Sequence, residues 1–248
     1  MCKWHRITAC LAGLIGLVVA GLAGSGGALA GARAPTVYDM YLGGFWLGAL
    51  EVAAERDGAD YRARARLGTG GWVRAFWGLE LDASAEGQVG PRHWRPSRFT
   101  AETRTRRRAR SLAMRFEDWR PVEVAVRPPF NPKPWQIDPQ AQRGTSDPLS
   151  AFLTAAASPS GTEPCGHEAD VYDGRRRHRI TLGAATEEQG LRRCDALYAR
   201  VGGFKPKMMK KPDFPFTVWF APGEAGGWAF LRAMGETPFG VAVLRRRR

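Results

Sequence analysis

Recognisable catalytic chemistry is scarce in this chain. Among 248 residues there are four histidines and four cysteines. There is no G-x-S-x-G elbow, no H-E-x-x-H pair and no glycine-rich phosphate loop at a strand–helix junction. None of the serines has a spacing that suggests a nucleophilic triad, and nothing implies a cofactor. Cys165 and Cys194 lack the C-x-x-C spacing of a structural zinc site. His167 and His178 fall on one predicted hairpin, yet packing histidines are commoner than ligands, so no metal is expected. Together these absences favour a non-catalytic binding protein, with a hydrolase or other envelope enzyme as the alternative. Acidic residues are also in deficit: 24 Asp and Glu stand against 37 Lys and Arg, for a formal charge of +13. After residue 30 no run is apolar enough to cross a bilayer.

The long apolar run is at the start. Lys3 and Arg6 form a short basic region, an apolar stretch runs from Ile7 to about Ala23, and Ala28-Leu29-Ala30 supplies an A-x-A cleavage site. This is the anatomy of a secretory signal peptide over residues 1–30, followed by a single domain over 31–248 and a periplasmic location. An uncleaved anchor is the alternative, whereas Cys10 precedes most of the run and so suits a lipoprotein poorly. Cleavage lowers the formal charge from +13 to +11 and removes Cys2 and Cys10. In an oxidising compartment Cys165 and Cys194 then read as a disulfide, with two separate buried thiols as the other reading.

Beyond the leader the chain alternates with period two. Tyr61, Ala63, Ala65 and Leu67 oppose Arg62, Arg64 and Arg66, which describes a half-buried strand with a basic outer face. Residues 72–89 read as strand, with a helix as the alternative near Ala75–Leu81. The basic run Arg104–Arg110 leads into alternating Leu112, Met114 and Phe116, so one long strand is predicted there. Val122, Val124 and Val126 form a short strand, and Pro128, Pro129, Pro132, Pro134 and Pro139 make 128–146 a connector. Asp147 as cap and Pro148 at the first position predict one short helix running to about Ala157. Asp173-Gly174 predicts a two-residue hairpin turn that pairs Asp170 with Arg177 and Glu168 with Arg179. Cys165, Ala169, Val171, Ile180 and Leu182 then share the opposite face. A basic loop at Lys205–Lys211, a strand over FPFTVWFAP and two closing strands complete a mainly β fold. The expected architecture is an antiparallel, strongly curved sheet or open barrel with one short helix.

The order of these features carries a resemblance. A leader, a glycine-rich aromatic first strand, the proline-rich connector and DPLSAFL at 147–153 precede C…VYDGRRRHRITL…C, LYARVGGF and VWFAP. This resembles the exported bacterial domain-of-unknown-function family 3108. The resemblance implies export and a curved sheet akin to the periplasmic lipoprotein-carrier fold. It implies no activity and no catalytic residues.

The abundance of aromatics points to binding. Inward aromatics in a barrel-like sheet either fill its core or line a cavity. Phe45, Trp46, Phe214, Phe216, Trp219 and Phe220 are the residues expected near an apolar trough. Arg176, Lys207, Lys210 and Lys211 are expected to meet anionic groups outside it. The expected ligand is a lipid or an anionic envelope polymer; nucleic acid is in the wrong compartment, and a protein partner through a sheet edge is a further candidate.

Overall fold

A computed structural model describes residues 34–248 apart from 77, 159–161 and 224–225, and leaves the side chains of 72, 76, 157 and 158 undescribed. The stretch read as a signal peptide lies outside the described residues. Seven strands come first: β1 (Thr36–Leu42), β2 (Phe45–Asp57), β3 (Asp60–Thr69), β4 (Glu80–Val89), β5 (Trp94–Arg104), β6 (Ala109–Glu117) and β7 (Arg120–Arg127). Two short strands come next, β8 (Thr145–Ser146) and β9 (Ala157–Ser158). Six more close the chain: β10 (His167–Tyr172), β11 (Arg177–Glu188), β12 (Leu191–Gly202), β13 (Asp213–Pro222), β14 (Trp228–Thr237) and β15 (Gly240–Arg246).

Each long strand pairs antiparallel with its sequence neighbours, and β1 pairs with β15, so two meanders join into one sheet ordered β7-β6-β5-β4-β3-β2-β1-β15-β14-β13-β12-β11-β10-β8. The two edges nearly meet. The Thr145 amide, on β8, donates to the Trp119 carbonyl at 3.0 Å, and Leu112 of β6 packs against the β10–β11 turn at Gly174. A Cβ at Gly174 would lie 2.6 Å from Leu112 Cδ1, which shows how closely the two edges approach, and its φ of +84° favours glycine there. The result is a nearly closed, barrel-like sheet of fourteen strands.

Strand faces follow the alternation. On β3, Tyr61, Ala63 and Ala65 are buried while Arg62, Arg64 and Arg66 are exposed. The β10–β11 hairpin forms, but its register differs from the sequence-based one by two residues: Asp170 faces Arg179, and Tyr172 faces Arg177. The reason is local. Asp173 Oδ1 accepts from the amides of Arg175 and Arg176 at 2.9 and 2.7 Å, so the turn holds four residues rather than two. A slip of two preserves faces, and Asp170 therefore still meets both Arg177 and Arg179 on one side. The Arg104–Arg110 run is not one strand either. Thr105 and Arg108 exchange hydrogen bonds, the Thr105 amide donating to the Arg108 carbonyl at 2.8 Å, and the arginines form the β5–β6 hairpin tip. Residues 72–76, read as strand with a helix left open from Ala75, belong to helix α1 (Gly71–Phe76), which follows Gly70 where the backbone passes close to the Trp46 ring.

The predicted helix is present as α2 (Pro148–Ala156), and it lies against β3, β4, β5, β10 and β14 on the inner side of the sheet. Its first turn is capped by Asp147, whose Oδ1 accepts from the amides of Leu149 at 2.9 Å and Ser150 at 3.0 Å. Ser150 Oγ donates to the second carboxylate oxygen and shares a 2.5 Å hydrogen bond with the Tyr61 hydroxyl of β3. One turn later Thr154 Oγ1 accepts from the Trp94 amide of β5 at 3.0 Å. The helix is thus tied to two strands. A short 3-10 turn (Pro139–Ala141) and helix α3 (Pro206–Met209) complete the elements, the latter within the predicted basic loop.

Cys165 and Cys194 form a disulfide with Cα atoms 5.8 Å apart. Cys165 precedes β10 and Cys194 lies on β12, so the bond straddles β11 where its pairing with β12 is irregular between Leu182 and Ala185. It closes a loop across a sequence separation of 29. Replacing both cysteines by serine should therefore lower the unfolding free energy by roughly 2–5 kcal/mol in urea titrations. An unchanged midpoint would contradict this.

Asp147 gives a second expectation. It is fully buried, and burial pushes its carboxyl up to about 6 from 3.8, against the opposing hydrogen bonds from Ser150 and Leu149. Its folded pKa exceeds its unfolded one, so its contribution to stability is full below about pH 4 and is lost as pH rises to about 6. From about pH 3 to about pH 7 the protein should lose roughly 3 kcal/mol relative to Asp147→Asn, at about 1.4 kcal/mol per unit between the two pKa values. Urea midpoints of the two proteins, compared pH by pH, cancel the titration of every other group. Parallel profiles would contradict the expectation.

Candidate functional site

Small inward side chains leave a space that α2 does not fill. Across five adjacent strands the register aligns Val52, Ala65, Ala83, Ala101 and Leu112 in one cross-strand row. The next row aligns Leu50, Leu67, Leu81, Thr103 and Arg110. These two rows form one wall of a cavity of about 620 Å³, and Phe99, Pro148, Leu149 and Phe152 also line it. Its polar groups lie where the second row ends: Thr105, Arg108 and Arg110 line it beside Phe130 and Asp173.

The cationic side of this opening is built, not incidental. The Arg110 guanidinium stacks on the Phe130 ring at 4.3 Å and its Nε donates to the Pro128 carbonyl at 3.2 Å. Arg175, on the β10–β11 turn, stacks on the same ring at 4.8 Å. Both Arg110 contacts are with neutral groups, so its charge is available to an anion. One oxygen of Asp173, Oδ1, accepts from the two amides of its own turn.

A second cavity of about 530 Å³ lies on the other side of α2, lined by Tyr38, Trp94, Leu153, Phe230 and Arg246 among others. Val52 and Phe152 line both cavities. Phe152 holds the partition through edge-on contact with Tyr38 at 5.5 Å.

The six aromatics singled out in the sequence go elsewhere. Phe45 and Trp46 are exposed beside the β1–β2 turn, with Trp46 Nε1 donating to Asp39 at 3.0 Å. Phe214, Phe216 and Phe220 share the face of Val218 on β13, and Phe220 is fully buried against Phe230. Trp219 turns to the opposite face, where Arg232 stacks on it at 4.3 Å and its Nε1 donates to Glu188 at 3.2 Å. None of the six lines the 620 Å³ cavity. Arg176 stacks on Phe204 at 5.2 Å, and Lys207, Lys210 and Lys211 are exposed around α3. The residues that do make the wall, two rows of alanine and leucine, were visible only as ordinary inward positions.

Other titratable groups do not converge on a reaction centre. Burial pushes the imidazoles of His167 and His178 down, and His178 packs on Tyr198 at 5.2 Å. Burial opposes ionisation of Asp170, but hydrogen bonds from Arg179 and Arg177 hold it below the usual carboxylate range. No cluster of three or more metal-ligating residues occurs among the described residues. No described helix is long and apolar enough to cross a membrane. On the strands, outward positions such as Arg62, Arg64, Glu102 and Arg115 are exposed and charged, unlike the apolar band of a membrane-spanning barrel.

No curated protein matches the chain. Among solved structures, a β-barrel-like protein of the domain of unknown function DUF1849 from Brucella abortus is similar at 13% identity and a TM-score of 0.46, covering 88% of this chain and 98% of that one. Residues 37–245 match the model of a family described as a protein of unknown function, DUF3108, and the chain belongs to that family.

Proposed function

We propose that the protein is an exported, non-catalytic envelope component that binds an amphiphile with an apolar chain and an anionic head. The observation that carries this reading is the 620 Å³ apolar cavity with Arg108 and Arg110 at its polar edge. Its volume falls in the range of roughly 300–1,000 Å³ typical of small-ligand sites. Each methylene transferred from water into such a wall contributes about 0.8 kcal/mol, so a chain of moderate length supplies the affinity. The half-buried Arg110, held beside the Phe130 ring, can offer charge-assisted hydrogen bonds to a carboxylate or phosphate. Binding is favoured over catalysis because the described lining sets arginines, and no second carboxylate or histidine, beside Asp173, whose Oδ1 already accepts from its own turn. Export rests on the leader sequence, and the periplasm of a bacterial envelope is where such amphiphiles are at hand.

Native mass spectrometry of protein purified without detergent tests the reading. Ala101 is 9% exposed and lies in the alanine row, so Ala101→Phe places a ring in the cavity. We expect an amphiphile to travel with the protein and to be lost from Ala101→Phe. Protein that carries none after equilibration with fatty acids, or a variant that retains it fully, would overturn the reading.

A further inference from the structure

The meander places alternate connections at opposite ends of the barrel, and the two ends differ in character. From the registers, the β1–β2, β5–β6, β10–β11, β12–β13 and β14–β15 connections all lie at one end. This is also the end with Thr105, Arg108 and Asp173, where the 620 Å³ cavity has its polar edge. Three arginines occupy the β5–β6 tip, Arg175 and Arg176 the β10–β11 turn, and four lysines the stretch 205–211. Across these three connections the acidic residue is Asp173. At the opposite end, the described connections carry Arg92, His93, Asp118 and Glu163.

The exposed large apolar side chains among the described residues gather at the basic end too. Phe45 is 63% exposed, Trp46 39%, Val201 43%, Phe239 80% and Val241 41%. Phe45 and Trp46 follow the β1–β2 turn, Phe239 lies in the β14–β15 turn with Val241 just after it, and Val201 is next to the last residue of β12. The Gly43 amide donates to the Val241 carbonyl at 2.9 Å, which joins two of these tips into one patch. The lysine-bearing β12–β13 connection is next to the β14–β15 tip in the sheet order, and aromatic tips with cations at the same end suit a lipid–water interface, where rings enter the headgroup level and cations meet anionic lipid. A soluble polyanion would use the cations and leave the rings in water.

We propose that this end docks on the surface of an anionic phospholipid bilayer and presents the cavity opening to it. The proposal rests on the amphiphile-binding reading and extends it: the cargo then passes between bilayer and cavity without crossing water. The rings of Phe45, Trp46 and Phe239 anchor the end, while Lys207, Lys210, Lys211 and the β5–β6 arginines provide the preference for anionic lipid.

The test is co-sedimentation of the exported protein with vesicles of phosphatidylcholine, alone or mixed with phosphatidylglycerol. Sedimentation is expected with the mixed vesicles, weakening as salt is raised. Burial of a phenylalanine side chain corresponds to roughly tenfold in partition, so Phe239→Ser should cost about that factor. Lys210→Glu with Lys211→Glu should cost about tenfold or more, given about 1 kcal/mol per cation near an anionic surface. Arg92→Glu, at the opposite end, should change nothing. Ala101→Phe should still sediment while carrying no cargo, which separates a failure of docking from a failure of the cavity. Equal binding to both vesicle types would overturn the proposal. So would a Phe239→Ser protein that sediments normally while the lysine reversals abolish binding, since that pattern assigns the basic end to soluble polyanions.

Discussion

A sheet rolled from this many strands encloses more space than its own side chains can fill. About eight strands give an interior that side chains just occupy, whereas fourteen curl together here. The inward rows are not enlarged to compensate: Ala65, Ala83 and Ala101 stand side by side on the wall. The interior must therefore be filled by another element or hold something else, and α2 fills part of it. That placement buries a polar cluster at the start of the helix. The first turn of a helix buried away from water must have its amides satisfied, and Asp147 does this with a carboxylate pushed up to about 6. Ser150 and Tyr61 then join the cap to β3. The position of α2 in turn decides where the remaining space lies, with Phe152 lining both cavities.

Much of the architecture is legible in the sequence because it is written locally. The alternation of Tyr61, Ala63 and Ala65 with arginines needs nothing beyond its own strand, and it is realised as read. Helix α2 announces itself through Asp147-Pro148, since capping and the fixed φ of proline act within one turn. The disulfide joins the two cysteines that lie beyond the apolar N-terminal stretch. The hairpin turn is where local reading misleads: Asp-Gly favours two residues, but the Asp173 side chain binds two further amides and makes four. The faces survive because the slip is even.

The site is less legible, for a physical reason. Its wall exists only once five strands are in register, and the signal is small residues rather than conspicuous ones. Trp219 and Trp46 draw the eye, yet one stacks under Arg232 on the outer face and the other lies beside an exposed turn. Which face of a strand looks inward can be read from alternation, but which strands lie beside it cannot. The arginines of 106–108 illustrate the same limit: as a run they look like surface, and the β5–β6 pairing places one of them at the edge of the cavity.

The central claim is that the hollow beside α2 takes an apolar chain and that its arginine edge selects an anionic head. The most direct measurement is calorimetric titration of the protein, stripped of any co-purifying amphiphile, with decanoate, decanol and decyltrimethylammonium, which share a chain and differ in head charge. The account predicts saturable binding of decanoate, tighter than the alcohol and much tighter than the ammonium. No saturable binding of any of them, or an ammonium that binds as well as the carboxylate, would contradict it.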